Sequence, residues 1–459
     1  MSTISQDFQE PQEPQPTELG PRVEHSLDRE VLALGSASRT ISGRTAYVVM
    51  AAVIGLALFA SGTPSPLYGL YRELWGFSPL ALTLVYATYA IGVLTALILA
   101  GPVSDQVGRR PVLLSALGGV MAASLIFIAA QSLAWLFVAR ALQGLATGLA
   151  LGAASAALLD LHPRRDPHAV GLHNGVASTG GLGLGVLVSA LIVELLPAPR
   201  VFPYVAALIL FAAVFLGVLR MPEPVRNPTR LRIAPQRPEV PAEVRPQFLL
   251  AALGVLSSWS IAGIFLSLGP QLSASLFHST DHLVDGTSVY ALALPAAVTQ
   301  MVFRQVRPWI GAALGSLALA AGMLTIVAAT ATSSAALYLV GSIIGGGGFG
   351  VAFLGALRVL AGAIPAAHRA AVMSAFYIVA YLSLSIPAVL AGVIDAPLGL
   401  QTTFEIFGSA SAVLAFGVAI QAWRTRPRPR PVSKAALDRD ERSRVHKRQV
   451  ELAEPSVLK

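Results

Sequence analysis

The sequence predicts an all-α integral membrane protein of twelve transmembrane helices, and three observations lead there. Hydrophobic residues make up 54% of the 459-residue chain and charged residues only 12%, with a mean hydropathy of +0.67. Soluble domains carry about a quarter charged residues, and a water-soluble core has no room for this much apolar side chain. Apolar runs of about 20 residues, the length that spans a roughly 30 Å hydrocarbon core, recur twelve times. Nearly all of the 32 Lys and Arg residues fall between those runs or in the tails. A soluble enzyme and a disordered chain are excluded as whole-chain readings. A nucleic-acid binder is excluded too, despite a net charge of +8 and a pI near 10.0. With no cysteine there is no disulfide framework, thiolate zinc site or cysteine nucleophile.

In chain order the runs cover residues 45–70, 79–101, 111–130, 133–159, 169–195, 201–221, 248–276, 286–304, 308–330, 335–361, 370–395 and 399–423. The first contains Thr63-Pro64-Ser65-Pro66, where two prolines kink the chain. The third opens on Arg110-Pro111 and the ninth on Arg307-Pro308, a weak sign of an internal repeat. Between the eighth and ninth, Arg304 to Arg307 leaves only a tight turn. Each run reads as a helix, because backbone groups in lipid must pair within their own segment. The period-two alternation of a β-barrel is missing.

Three polar stretches frame the runs. Residues 1–44, rich in Gln, Glu and Pro, read as a disordered tail and lack the basic and short apolar regions of a cleaved signal. Residues 222–247 read as an extended linker that divides the runs six and six, into bundles 45–221 and 248–423. Residues 424–459 form a basic tail with ten Lys or Arg by Arg448.

Charge sets the expected orientation. Of the basic residues, 28 lie in the tails and alternate loops, two (Arg72, Arg200) in the opposite loops, and two (Arg140, Arg358) inside runs. The positive-inside rule places both termini in the cytoplasm, as an even number of spans also requires. Anionic headgroups are the expected partners of the basic loops and tail.

Between the second and third runs the chain reads Gly101-Pro-Val-Ser-Asp105-Gln-Val-Gly108-Arg109-Arg110-Pro111. Gly101 allows close helix approach, Gly108 permits a turn, and Asp105 can pair with Arg109. The stretch resembles the G-x-x-x-D-x-x-G-R-R/K loop signature of the major facilitator superfamily. That resemblance implies two six-helix bundles and a latch of Gly101, Asp105, Gly108, Arg109 and Arg110 that secures the outward-facing state. In the fourth run, Arg140-Ala-Leu-Gln143-Gly144 is similar to the family's R-x-x-x-G motif and implies a role in substrate binding or proton coupling. An arginine at that depth faces a wet cavity or a partner, or else snorkels to the headgroups. The glycine runs Gly180 to Gly185 and Gly345 to Gly350 read as helix-packing surfaces rather than nucleotide loops, since no strand precedes either. In the first of them Val186 stands where antiporters of the family carry proline, and Ser189 where they carry glycine. The second half departs further. At the place of a repeated loop motif stands Phe303-Arg304-Gln305-Val306-Arg307-Pro308, without the Asp or the Gly. The stretches SGTPSPLYGLY and Gly345 to Leu390 resemble a bacterial drug-efflux branch.

By that resemblance runs one, four, seven and ten line a central cavity. Thr63, Ser65, Tyr68, Ser258, Trp259, Phe349 and Phe353, with Tyr377 from run eleven, then form an aromatic, hydroxyl-lined pocket for a mid-sized amphipathic molecule. Each of them taken singly also reads as a packing residue. No Asp or Glu lies near the middle of any run, which disfavours strongly cationic substrates and leaves neutral or anionic ones. Glu405 and His173 are the fallback proton carriers. The reading is a proton-driven exporter in the plasma membrane, monomeric, with no cofactor, metal or catalytic residue and no nucleic-acid partner. Its alternatives are an importer or uniporter of a small polar solute and a non-transporting receptor or scaffold. A membrane enzyme would need a titratable cluster at one depth. An ATP-driven pump would need a G-x-x-x-x-G-K-[ST] loop, and the sequence has none.

Overall fold

The computed structural model describes residues 41–100, 103–225, 229, 239–279, 281–365 and 368–426. Gly101, most of the linker and nearly all of both tails lie outside the described residues, so the tail readings and the Gly101 assignment fall there too. Among the described residues there is no strand. The helices are α1 Gly43–Gly62, α2 Tyr68–Trp75, α3 Pro79–Ala100, α4 Val103–Val107, α5 Arg109–Ile128, α6 Leu133–Leu161, α7 Pro167–Leu195 and α8 Phe202–Leu219. They continue with α9 Arg245–Ser267, α10 Gly269–Phe277, α11 His282–Val302, α12 Pro308–Ala331, α13 Ala335–Ala363 and α14 Arg369–Arg424.

Among the described residues, ten helices are long and apolar enough to cross a membrane, with α1 and α2 counted as one span. The eighth run forms α11, which is outside that set. The eleventh and twelfth runs share α14, interrupted at Gly399 (φ 78°, ψ 165°) two residues after Pro397. A positive φ at that point suits glycine, and the proline ahead of it removes a ladder donor. The seventh helix starts at Arg245, inside the predicted linker, because Pro246 suits the first helical turn.

Two helices are broken toward the same end of the molecule. The prolines after α1 give a 3₁₀ turn at Ser65–Leu67, and α9 gives way to α10 across Leu268. Packing then sorts the helices into two groups. In the first, α1, α3 and α5 to α8 pack on one another; in the second, α9 to α14 do. Across the seam, α7 packs on α11 and α3 on α14.

Glycine sets the closest approaches, and they recur in both groups. A methyl built at Gly144 of α6 would overlap the Tyr89 carbonyl of α3. One at Gly346 of α13 would overlap the Leu292 carbonyl of α11. Likewise Gly185 of α7 lies against Phe59 of α1, and Gly263 of α9 against Leu384 of α14. Small residues let backbones close up where no hydrophobic force acts between helices in lipid. The two glycine runs are packing surfaces. Gly181 and Gly185 face α1, while a methyl at Gly183 would come within 3.1 Å of the α11 side chains of Ala293 and Leu294.

Candidate functional site

Pro64 lacks the N–H that would pair with the Ala60 carbonyl, and α1 ends at Gly62, so the carbonyls of its last turn and of Thr63 need partners from outside the helix. In this fold α6 and α7 supply substitutes. Gln143 Nε2 donates to the Ala60 carbonyl at 2.9 Å, Arg140 Nη1 to that of Ser61 at 3.0 Å, and the Ser189 hydroxyl to that of Thr63 at 2.6 Å. Arg140 also donates through Nε to the Tyr68 hydroxyl (2.7 Å) and through Nη1 to Gln143 Oε1 (2.7 Å). The rings of Tyr68, Tyr86, Tyr89 and Phe127 surround its guanidinium carbon at 4.8–5.9 Å. Such ring faces stabilise a desolvated cation.

Arg140 is 0% exposed. It neither snorkels nor lines a wet cavity, and the expectation of a water-facing arginine is corrected. The cause is the first-run break, whose freed carbonyls claim the guanidinium donors. The hydroxyls expected to face substrate are spoken for as well. Thr63 donates to the Phe59 carbonyl (2.9 Å), Ser65 to Leu266 (3.1 Å) and Ser258 to Gly254 (2.8 Å), and all three are at most 1% exposed. The pocket is not hydroxyl-lined in this structure.

The aromatic candidates of the second half do come together. Trp259 lies 5.9 Å from Phe353 and 5.4 Å from Tyr381, ring centre to ring centre. Phe349 stacks on Phe353 at 6.3 Å, and Phe376 joins Phe353 (6.4 Å) to Tyr377 (5.7 Å). Trp259 also packs against the seam cluster of Tyr89, Ala90 and Val93 with Tyr381. Its indole nitrogen is buried with no hydrogen-bond partner among the described residues. The two fallback proton carriers stand apart from this cluster. His173 Nδ1 is 2.6 Å from the Tyr47 hydroxyl, and Glu405 accepts from Gln401 Nε2 (2.9 Å) on its own helix.

At the Arg109 end, one guanidinium gathers the loop. Arg109 pairs with Asp105, reaches Asp160 Oδ2 of α6 through Nε (3.2 Å), and donates through Nη1 to Ser104 (2.7 Å). The Asp105 side chain is 62% exposed. Gly108 adopts φ 106°, a conformation L side chains rarely take. Sequence reading missed Glu223. Its carboxylate accepts from the backbone N–H groups of Arg109 (2.8 Å) and Arg110 (2.9 Å), capping the start of α5. The signal was the first of three acids in a basic linker, directly after the sixth run. In the second half, Arg358 of α13 donates to the carbonyls of Arg304 (2.9 Å) and Val306 (3.1 Å) and so holds the α11–α12 turn without an acid.

The opposite end carries bonds between the two groups. Besides Ser65 to the Leu266 carbonyl, Arg72 Nη1 donates to Gln271 Oε1 at 3.1 Å.

A family model described as Major Facilitator Superfamily matches residues 50–312, more than half of the chain. Multidrug resistance protein D of Escherichia coli (strain K12) is 38% identical over 97 residues, 21% of this chain and 22% of that protein. Multidrug resistance protein 1 of Bacillus subtilis (strain 168) is 28% identical over 272 residues, 57% of this chain and 65% of that one. The chain thus spans less than two thirds of either relative's length. A structure of the Escherichia coli xylose transporter XylE in a partially occluded inward-open conformation superposes with a TM-score of 0.65 at 13% identity, over 84% of this chain and all of that one. The family model, the loop residues Asp105 to Arg110 and the two seam-packed helix groups agree: the chain belongs to the major facilitator superfamily, a family of multi-pass membrane transporters.

Proposed function

We propose that this chain is a secondary transporter that exports small amphipathic organic molecules by alternating access, using a proton gradient and no bound cofactor. Twelve crossings in two six-helix bundles, 45–221 and 248–423, rock about the α7–α11 and α3–α14 seams. Both termini and the 222–247 linker lie on the cytoplasmic side of the plasma membrane. One observation carries the reading. Two hydrogen bonds join the groups at the Arg72 end and one long bond, Gln300 Nε2 to the Thr179 hydroxyl (3.4 Å), joins α11 to α7, while the Arg109 cluster, with Asp105 exposed, stays within one group. That pattern fits a state closed outside and released inside. The multidrug resistance proteins among its relatives support export of organic compounds.

The test is transport of a compound panel in everted vesicles, with and without an imposed pH gradient. Gradient-driven accumulation supports the proposal, and accumulation indifferent to the gradient removes the proton coupling. Uptake in the opposite sense favours an importer. A panel that does not move at all favours the receptor reading.

A further inference from the structure

Charge is scarce along the seam. Asp160, Glu194 and Asp285 sit near helix ends, and Asp395 and Glu405 flank the Gly399 break of α14. A permanent cation entering the middle of the bundle sheds its water with no opposing charge to meet it. The one cation at depth that might draw an anion is Arg140, and it is fully enclosed. An anion reaching its Nη2, which has no partner among the described residues, would have to part the rings of Tyr68, Tyr86, Tyr89 and Phe127 that enclose the guanidinium. The hydroxyls of Thr63, Ser65 and Ser258 already donate to backbone.

Apart from Gln300 Oε1 between α7 and α11, which has no hydrogen-bond partner among the described residues, what the seam offers around Trp259 is aromatic. Trp259, Phe353 and Tyr377 are half-buried, and Trp259 touches both groups of helices. Its N–H is a donor in search of an acceptor, since a buried indole normally finds one. We infer that the substrate is uncharged, a planar aromatic molecule bearing a carbonyl, stacked on the Trp259–Phe353 cluster and oriented by the Trp259 N–H. The inference rests on the transporter reading above and narrows it to a chemical class.

Three fluorescent probes share the acridone ring with its carbonyl and differ in charge: neutral 10-methylacridone, cationic 10-(2-trimethylammonioethyl)acridone and anionic acridone-10-acetate. Binding to the purified full-length chain is read by probe anisotropy. The neutral probe binds at least about tenfold tighter than either ion, and Trp259→Phe, which keeps the ring but loses the donor, weakens it by about five- to tenfold. Phe353→Leu, a milder change, weakens the neutral probe as well. An ion bound as tightly as methylacridone, no binding of methylacridone, or a Trp259→Phe variant with wild-type affinity overturns the inference. The same probes in everted vesicles separate the two levels. Preferred accumulation of an ion overturns the charge assignment and leaves the transporter standing. Tight binding of methylacridone without movement of any probe overturns transport alone.

Discussion

At the scale of single residues, the buried arginine works through its hydrogen-bond partners. Arg140 donates through Nε and Nη1 to Tyr68, the Ser61 carbonyl and Gln143 inside a ring of aromatics, which leaves Nη2 without a partner among the described residues. Arg140→Leu leaves these acceptors bare and is expected to cost about 2–4 kcal/mol, read as a lower melting temperature of the detergent-purified protein. Arg140→Lys recovers part of the loss, because an ammonium cannot reproduce the fork. An unchanged melting temperature in Arg140→Leu would dismiss this role. Glu223→Ala uncaps α5 and is expected to cost about 1 kcal/mol in the same measurement. At the loop, Asp105→Asn removes the Arg109 ion pair and should abolish vesicle transport with membrane insertion intact; full transport would discard the latch.

At the scale of elements, the glycine runs decide how near two helices come. Gly181 sits against the Gly55 carbonyl and Gly185 against that of Phe59, so any Cβ pushes α7 off α1. Gly181→Ala is expected to destabilise by about 1–3 kcal/mol. Gly118→Ala in α5, where an added methyl meets nothing within 4 Å, is expected to be neutral or stabilising by up to about 1 kcal/mol. Equal melting temperatures for the pair would show that glycine spacing does not set the approach. The sequence shows where such runs occur. It does not show which glycine faces which helix, because adjacent glycines point to different neighbours and only packing assigns them.

At the scale of the whole molecule, the bonds at the Arg72 end hold the two groups together on one side. Arg72→Ala removes the bond to Gln271 and should shift the population toward a state open at that end by several-fold, the worth of about 1 kcal/mol. The absence of native cysteine makes the measurement direct. A single cysteine introduced beside Gln271 should label faster in Arg72→Ala than in the parent, and equal rates would reject the clasp.

The sequence by itself determined the class of the molecule. Hydropathy and the spacing of basic residues depend on composition along the chain, so the apolar helices and the Asp105–Arg109 loop were legible there. It misjudged the polar candidates, because whether a hydroxyl or a guanidinium faces substrate depends on what else wants its donors. Thr63, Ser65, Ser258 and Arg140 had the right chemistry for a pocket, yet backbone carbonyls 4 to 201 residues away in sequence claimed their donors. Only the tertiary structure brought Glu223 under Arg109 and Arg72 onto Gln271, since those contacts join segments 114 and 199 residues apart. Local patterns fix which segments are helices, and long-range packing fixes which polar groups are left to meet a ligand.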